Sequence, residues 1–215
     1  MMRNCPLCSS KVSPDHILYG NSGASFRKCP HCALIFRSQQ DLPSPETERS
    51  RYLSHRNSPS DEGYVRFLLR PFEWAKTRID LDEPFLDYGC GYAPVFVNLM
   101  REGGFTCHGY DPLFFPDGIE KTSYPTVFCI ETVEHFHNTY AEWERLIGLV
   151  APGGYLVVMT DFWLDLKAFP NWYYQNDPTH TSFYHPKTMD FLADLLGCTL
   201  THSDGKRLAI FKKEE

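Results

Sequence analysis

The chain has 215 residues, of which 42% are hydrophobic and 22% charged, and a formal net charge of −6 at pH 7. That is room for one full-sized domain and a small one, with the composition of a soluble globular protein and a charge that argues against a general nucleic-acid binder. No apolar run approaches membrane-spanning length, and no apolar stretch of a secretory signal precedes Cys5, so a cytoplasmic protein is expected.

Two cysteine pairs come first. Cys5-Pro6-Leu7-Cys8 and Cys29-Pro30-His31-Cys32 stand twenty residues apart, the spacing of a zinc-binding ribbon. Each pair can form a tight turn that aims two thiolates at one point, and two such turns fill a tetrahedral zinc site with no position left open. Cys5, Cys8, Cys29 and Cys32 are therefore expected to hold one structural Zn²⁺ in a ribbon spanning 1–42. A ribbon of this size buries little apolar surface, so the metal would supply much of its folding energy, and its core is expected to be separate from that of the main domain. Residues 1–40 hold five Lys/Arg and one acid, leaving 16 basic and 26 acidic residues beyond. A Zn(Cys)₄ centre carries −2, so the ribbon is only weakly basic and offers no footprint for phosphate binding. Cys90, Cys107, Cys129 and Cys198 are scattered singly, which fits reduced thiols rather than a disulfide framework.

Leu42-Pro43-Ser44-Pro45 reads as an extended linker. Tyr64, Phe67, Leu68 and Phe72 then recur at roughly helical spacing, which predicts one or two helices. Together 43–78 reads as a linker and helical lid. Tyr52, His55 and Tyr64 either cover a cofactor there or belong to a solvated face with core anchors.

From 79 to 215 strand and helix signals alternate. Pro84 to Asp87 reads as a buried strand that ends in Gly89-Cys90-Gly91, and Pro94 suits the first turn of a helix carrying Val95, Phe96, Leu99 and Met100. Phe105–Tyr110 and Thr126–Ile130 read as further strands. Trp143, Leu146, Ile147 and Val150 mark an amphipathic helix, which Pro152-Gly153-Gly154 turns into the strand Tyr155–Met159. An aromatic-rich irregular stretch, 160–185, precedes a helix opened by Pro186 and closed by Gly197. Two strands flanking Asp204-Gly205 complete an antiparallel hairpin. The series predicts an α/β fold: a Rossmann-like, doubly wound, mostly parallel sheet with helices on both faces and a C-terminal antiparallel hairpin.

Asp87-Tyr88-Gly89-Cys90-Gly91 falls where the first strand turns into the first helix, the place where glycines let the backbone approach a ligand. Asp111 ends the second strand and can accept hydrogen bonds from ribose hydroxyls. A dinucleotide site calls for Gly-x-Gly-x-x-Gly, and here Pro94 follows Gly91-Tyr92-Ala93. An acid directly before the glycines also repels a pyrophosphate, whereas it suits the amino and sulfonium groups of S-adenosylmethionine.

With these stretches, together with Tyr110-Asp111-Pro112, Glu131-Thr132-Val133-Glu134-His135-Phe136 and Leu149–Leu156, the chain resembles class I S-adenosylmethionine-dependent methyltransferases. The resemblance covers about residues 79–215 and is nearest in flavour to the small enzymes of ubiquinone biosynthesis. It implies S-adenosyl-L-methionine as cofactor, held by Asp87, Gly89, Cys90, Gly91, Asp111, Pro112, Phe114, Glu131 and Thr132. Ala93 stands where the family has its third loop glycine. Only 14 residues separate Asp111 from Thr126, so the family's usual third strand is expected to be missing. Phe114 or Phe115 then either stacks on the adenine or packs on the truncated sheet edge.

In ubiquinone-type and small-RNA 2′-O-methyltransferases, a stretch similar to Glu131-x-x-Glu134-His135 binds a divalent ion with a later histidine. By that resemblance Glu131, Glu134, His135 and His180 form a possible second metal site for Mg²⁺ or another divalent ion. The competing reading is a set of hydrogen-bonding pocket groups. His180 and His135 are the candidate catalytic residues, as proton acceptors.

The expected activity is methyl transfer to a small-molecule acceptor, with no membrane partner. One alternative is an RNA or protein methyltransferase that docks its substrate on the ribbon, and the ribbon's weak basicity counts against RNA. The other is a non-catalytic protein that binds the nucleoside as a ligand and uses the ribbon for protein contacts.

Overall fold

The computed structural model describes residues 2–21, 23–54 and 58–215. In chain order, five short strands come first: Arg3–Asn4 (β1), Lys11–Val12 (β2), Ile17–Tyr19 (β3), Ser25–Lys28 (β4) and Ile35–Arg37 (β5). Two helices follow, Pro45–Ser54 (α1) and Glu62–Ala75 (α2). The main sheet and its helices are Phe85–Tyr88 (β6), Val95–Glu102 (α3), Cys107–Tyr110 (β7), Tyr124–Ile130 (β8), Thr139–Gly148 (α4) and Val150–Met159 (β9). Ser182–Phe183 (β10), Pro186–Leu196 (α5), Cys198–Ser203 (β11) and Leu208–Lys213 (β12) complete the chain.

Six strands form the main sheet in the order β11-β12-β9-β8-β6-β7. The pairs β6–β7, β6–β8 and β8–β9 are parallel, and β12 adds antiparallel to β9 and to β11. All four residues of β6 are buried, as befits a central parallel strand covered on both faces. β7 is the edge, and 111–123 returns directly to β8 with no further strand among the described residues.

α2 and α3 cover one face. Leu68, Phe72, Phe96 and Met100 pack there against Phe85, Phe128 and Ile210. α2 starts at Asp61, whose carboxylate accepts from Gly63 N and Tyr64 N, a capping arrangement. α4 and α5 cover the other face with Trp143, Leu146, Met189 and Leu192. α5 begins at Pro186 and ends at Gly197, which takes the left-handed cap conformation. The Pro152-Gly153-Gly154 turn differs from its expectation: it lies within β9 as a bulge, with Tyr124 opposite Val150 but Thr126 opposite Tyr155.

The N-terminal segment does not keep a core of its own. Cys5, Leu7, Val12, Cys29, Leu34 and Phe36 belong to the same continuous cluster as Trp143, Leu156 and Phe211. β3, β4 and β5 form an antiparallel sheet whose fourth strand, β10, comes from the irregular stretch after β9. Phe26 and Ile35 pack with Phe169, Tyr174 and Phe183 of that stretch. The expectation of two separate cores therefore fails. Forty residues cannot bury their own apolar faces, and these lean on α4 and on the 160–185 loop instead.

Candidate active site

The turn after β6 depends on glycine. Gly89 has φ +91 and Gly91 φ +66, in the left-handed region where a side chain is strained. A Cβ on Gly89 would stand 2.3 Å from the Thr132 side chain, whereas one on Gly91 meets nothing within 4 Å. The first glycine thus lets the loop close against Thr132, and the second opens onto a cavity of about 1120 Å³. Asp87, Gly89, Cys90, Gly91, Asp111, Pro112, Glu131, Thr132, His135 and His180 all line that cavity. Burial, and then the Asp111 charge, pushes the Asp87 carboxyl up to about 7.

Asp111 clasps the loop. Its Oδ2 accepts from Gly91 N at 3.1 Å, and its Oδ1 accepts from Leu113 N and Phe114 N at 2.9 and 3.1 Å. The carboxylate has about four acceptor positions, so one remains for a ligand hydroxyl. This turn places Leu113, not Phe114, on the cavity wall. Phe114 is held instead between the Tyr92 ring at 6.0 Å and the Arg49 guanidinium at 5.5 Å. Phe115 is partly exposed and pairs back to Asp111.

At the other end of the cavity a buried acidic cluster surrounds one hydroxyl. Tyr174 Oη lies 3.0 Å from Glu131 Oε2, 2.6 Å from Glu134 Oε1 and 3.1 Å from Thr160 Oγ1. A phenol has one proton to donate, so the two carboxylates cannot both be bare and satisfied. Glu131 Oε1 and Glu134 Oε2 are buried and have no partner among the described residues. Burial pushes Glu134 up to about 7, and burial together with the Glu134 charge raises Glu131 well above its usual range. The cluster calls for a proton or a cation. Glu131 itself has φ +48, uncommon for a long side chain, at the strand end where Glu131 N donates to Met159 O.

Two imidazoles complete this end. His135 Nδ1 lies 3.0 Å from Thr179 O, and His180 Nδ1 lies 2.7 Å from Tyr174 O. A carbonyl can only accept, so each Nδ1 carries the proton and each Nε2 keeps a lone pair. Burial lowers His135 to about 3 and His180 to about 4, so both rings are neutral near pH 7. Ligand atoms of Glu134, His135 and His180 fall within 4.8 Å of one another. Imidazoles this weakly basic are poor proton acceptors near pH 7, but neutral rings oriented by Nδ1–H bonds to carbonyls are well prepared as metal ligands or hydrogen-bond acceptors.

Sequence reasoning missed what holds this end in place. Tyr174 was one aromatic among many in 160–185, and no spacing distinguishes it. Arg37 of β5 donates from Nε to His180 O and from Nη2 to Gln175 O and Asp177 O. Arg37 N donates to Thr181 O, and Thr181 N to Glu134 O. The cysteine-bearing segment thus positions His180. α1 buries no side chain of its own, yet Arg51 pairs with Asp177 at 2.8 Å and Glu48 meets His137 Nε2 at 2.7 Å. Burial alone would raise the Asp177 carboxyl, but Arg51 and the Thr179 donors hold it well below the usual carboxylate range. These contacts draw α1 across the cavity, where Tyr52 packs 5.3 Å from the His135 ring. Tyr64 lines the same cavity, and His55 lies outside the described residues.

The four cysteine sulfurs converge. Cys5 and Cys32 are 3.6 Å apart and Cys8 and Cys29 3.5 Å, with no disulfide, and all four lie within 4.8 Å of one another. The two turns share one backbone pattern: Ser9 N donates to Cys5 O and Cys5 N to Ser10 O, as Ala33 N does to Cys29 O and Cys29 N to Leu34 O. Four sulfurs about 2.3 Å from a tetrahedral zinc stand about 3.8 Å apart, close to this spacing.

Residues 52–203 match the family model of a methyltransferase domain. The chain belongs to this family of S-adenosylmethionine-dependent methyltransferases. Solved structures agree on the fold. An O-methyltransferase family protein from Burkholderia thailandensis superposes with a TM-score of 0.55 at 14% identity, over 82% of this chain and 66% of that one. A chain from the complex of the Haloferax volcanii Trm112 methyltransferase activator with its methyltransferase gives 0.55 at 11% identity, over 78% and 97%. The PH0226 protein from Pyrococcus horikoshii OT3 gives 0.52 at 14%, over 78% and 99%. No curated protein matches at a significant level. No helix among the described residues of this methyltransferase is long and apolar enough to cross a membrane.

Proposed function

We propose that this methyltransferase acts on a small-molecule acceptor seated beside Glu131, Glu134, His135 and His180, and that Cys5, Cys8, Cys29 and Cys32 hold a structural Zn²⁺. One observation carries the proposal: a single cavity joins the glycine loop to the carboxylate–imidazole cluster. At about 1120 Å³ it exceeds the usual span for one small ligand, about 300–1,000 Å³, so a cofactor leaves room for an acceptor. S-adenosylmethionine supplies the electrophilic methyl carbon. The protein's part is alignment: Asp87 faces the cationic end, Asp111 offers its remaining lone pair to the ribose, and the cluster around Tyr174 receives the acceptor. Glu134, pushed up to about 7, is better matched than either imidazole to take up the acceptor's proton.

S-adenosylhomocysteine should raise the melting temperature, and NADH should leave it unchanged, because binding to the native state stabilises by mass action. Asp111→Ala should lower S-adenosylhomocysteine affinity by roughly tenfold or more, through loss of one charge-assisted bond and of the loop clasp. Equal affinity in calorimetric titrations of the two proteins would refute the role of Asp111.

The open Nε2 atoms and the unpartnered Glu134 Oε2 favour a second reading, in which a divalent ion such as Mg²⁺ or Mn²⁺ binds Glu134, His135 and His180. The ubiquinone-type set implied by the resemblance also includes Glu131, which is not among the residues whose ligand atoms converge here. His180→Ala should then abolish Mn²⁺ binding in a paramagnetic titration while leaving S-adenosylhomocysteine affinity within about threefold, since the ring lies at the acceptor end. Equal Mn²⁺ binding by both proteins would leave the cluster as hydrogen-bonding groups alone.

A further inference from the structure

A second, smaller cavity of about 290 Å³ lies where the cysteine-bearing segment meets the methyltransferase sheet. Its charge is one-sided. Arg3, Arg27 and Arg37 line it together with His137, and no Asp or Glu does. This is notable in a chain of net charge −6. The weak overall basicity of residues 1–40 conceals it, because the sum says nothing of where three guanidinium groups converge.

Arg27 is the decisive residue. It sits on β4 between Ile17 and Phe36 and is only 8% exposed. Its Nε and Nη1 are buried with no hydrogen-bond partner among the described residues. Ser38 Oγ, in a residue 5% exposed on the same cavity, is likewise unpartnered. A buried guanidinium without a counter-charge is costly, and Arg27 lines this cavity, from which an acceptor can approach it. Arg37 is different, since two of its nitrogens already donate to loop carbonyls. Arg3, at the rim, is held towards the site by Nη1 donation to Gln39 Oε1 at 2.7 Å.

We propose that this cavity is an oxyanion site, taking a phosphate group on Arg27, Arg3 and Ser38. A phosphate offers the several acceptor oxygens that a guanidinium fork and a hydroxyl match. The group is either the free ion or an ester carried by a larger ligand. Phe136 and His137 line both this cavity and the large one, so an ester bound here lies one residue layer from the active site.

The test is titration of the full chain, as purified with its metal, with inorganic phosphate against sodium chloride of equal ionic strength. Melting temperature and heat are the readouts. Phosphate should raise the melting temperature saturably where chloride does not. Arg27→Met should bind phosphate at least about tenfold more weakly, and without phosphate it should melt no lower than the parent, because a buried unpaired charge has been replaced by an apolar chain. Arg3→Gln alters an exposed side chain, so it leaves the fold untouched and should weaken phosphate by roughly threefold to tenfold. It decides the matter if Arg27→Met does not fold. Glycerol 3-phosphate distinguishes the sources: competition with phosphate identifies an esterified group, and failure to compete identifies the free ion. A phosphate effect no larger than that of chloride overturns the proposal, as does one unchanged in both variants. Neither readout depends on methyl transfer.

Discussion

Replacing Cys29 by serine is expected to destabilise the whole methyltransferase, not the cysteine segment alone. Serine is a poor zinc ligand, and a structural zinc site supplies about 10–16 kcal/mol of apparent binding energy in isolated peptides at neutral pH. Even a loss of about 5 kcal/mol would lower the melting temperature of a domain this size by about 10–20 °C. The loss should propagate because the apolar cluster runs without a break from Cys5, Leu7 and Leu34 to Trp143 and Phe211. β10 hangs on β5, and three loop carbonyls, including that of His180, hang on Arg37. Scanning calorimetry should therefore show one transition moved downward, and S-adenosylhomocysteine should restore only part of the shift. Two transitions, with the upper one unmoved, would mean that the segment folds and unfolds by itself. Elemental analysis of the parent protein must accompany the experiment, since less than half an equivalent of zinc would remove its premise.

The same contacts explain which parts of the molecule were legible beforehand. The glycine loop, the acid at the end of β7 and the alternation of strand and helix were readable because each is local. Gly89 and Gly91 are needed by their own backbone angles, and Pro186 and Gly197 bound a helix by their own chemistry. The position of Phe114 off the cavity wall is not legible, because its direction depends on the turn that Asp111 imposes, with Leu113 N and Phe114 N on one carboxylate oxygen. α1 carries no apolar stripe, and long-range polar contacts hold it, the ion pair of Arg51 with Asp177 and the hydrogen bond between His137 and Glu48. Periodicity is blind to such a helix. The partnership of Arg37 with His180 joins residues far apart in the chain, and the burial of Arg27 depends on where two segments meet. Neither leaves a mark in spacing or composition.

S-adenosylhomocysteine is expected to bind about tenfold more weakly for each pH unit below about 7, and to level off above it. Asp87 is buried, and burial, followed by the Asp111 charge, pushes its carboxyl up to about 7. In the site proposed above the ligand's cationic amino group meets the ionised carboxylate, so below pH 7 binding must first expel a proton, at about 1.4 kcal/mol per unit. The same shift acts in the opposite sense on the unliganded fold. A carboxyl whose folded pKa exceeds its unfolded value contributes stability that is fully present below about pH 4. That contribution is lost as pH rises through about 7. The gap between liganded and free melting temperatures should therefore widen from pH 5.5 to 7.5. Calorimetry at pH 6 in two buffers of different ionisation enthalpy should detect close to one proton released per ligand. Glu134 also titrates near 7, and Asp87→Asn separates the two, because the amide cannot ionise. That variant should bind with a flat pH profile and, at pH 8, roughly tenfold to a hundredfold more weakly than the parent. A parent protein whose affinity is unchanged between pH 5.5 and 7.5 would show that Asp87 does not meet the ligand's charge. A slope that survives in Asp87→Asn would assign the proton to another group.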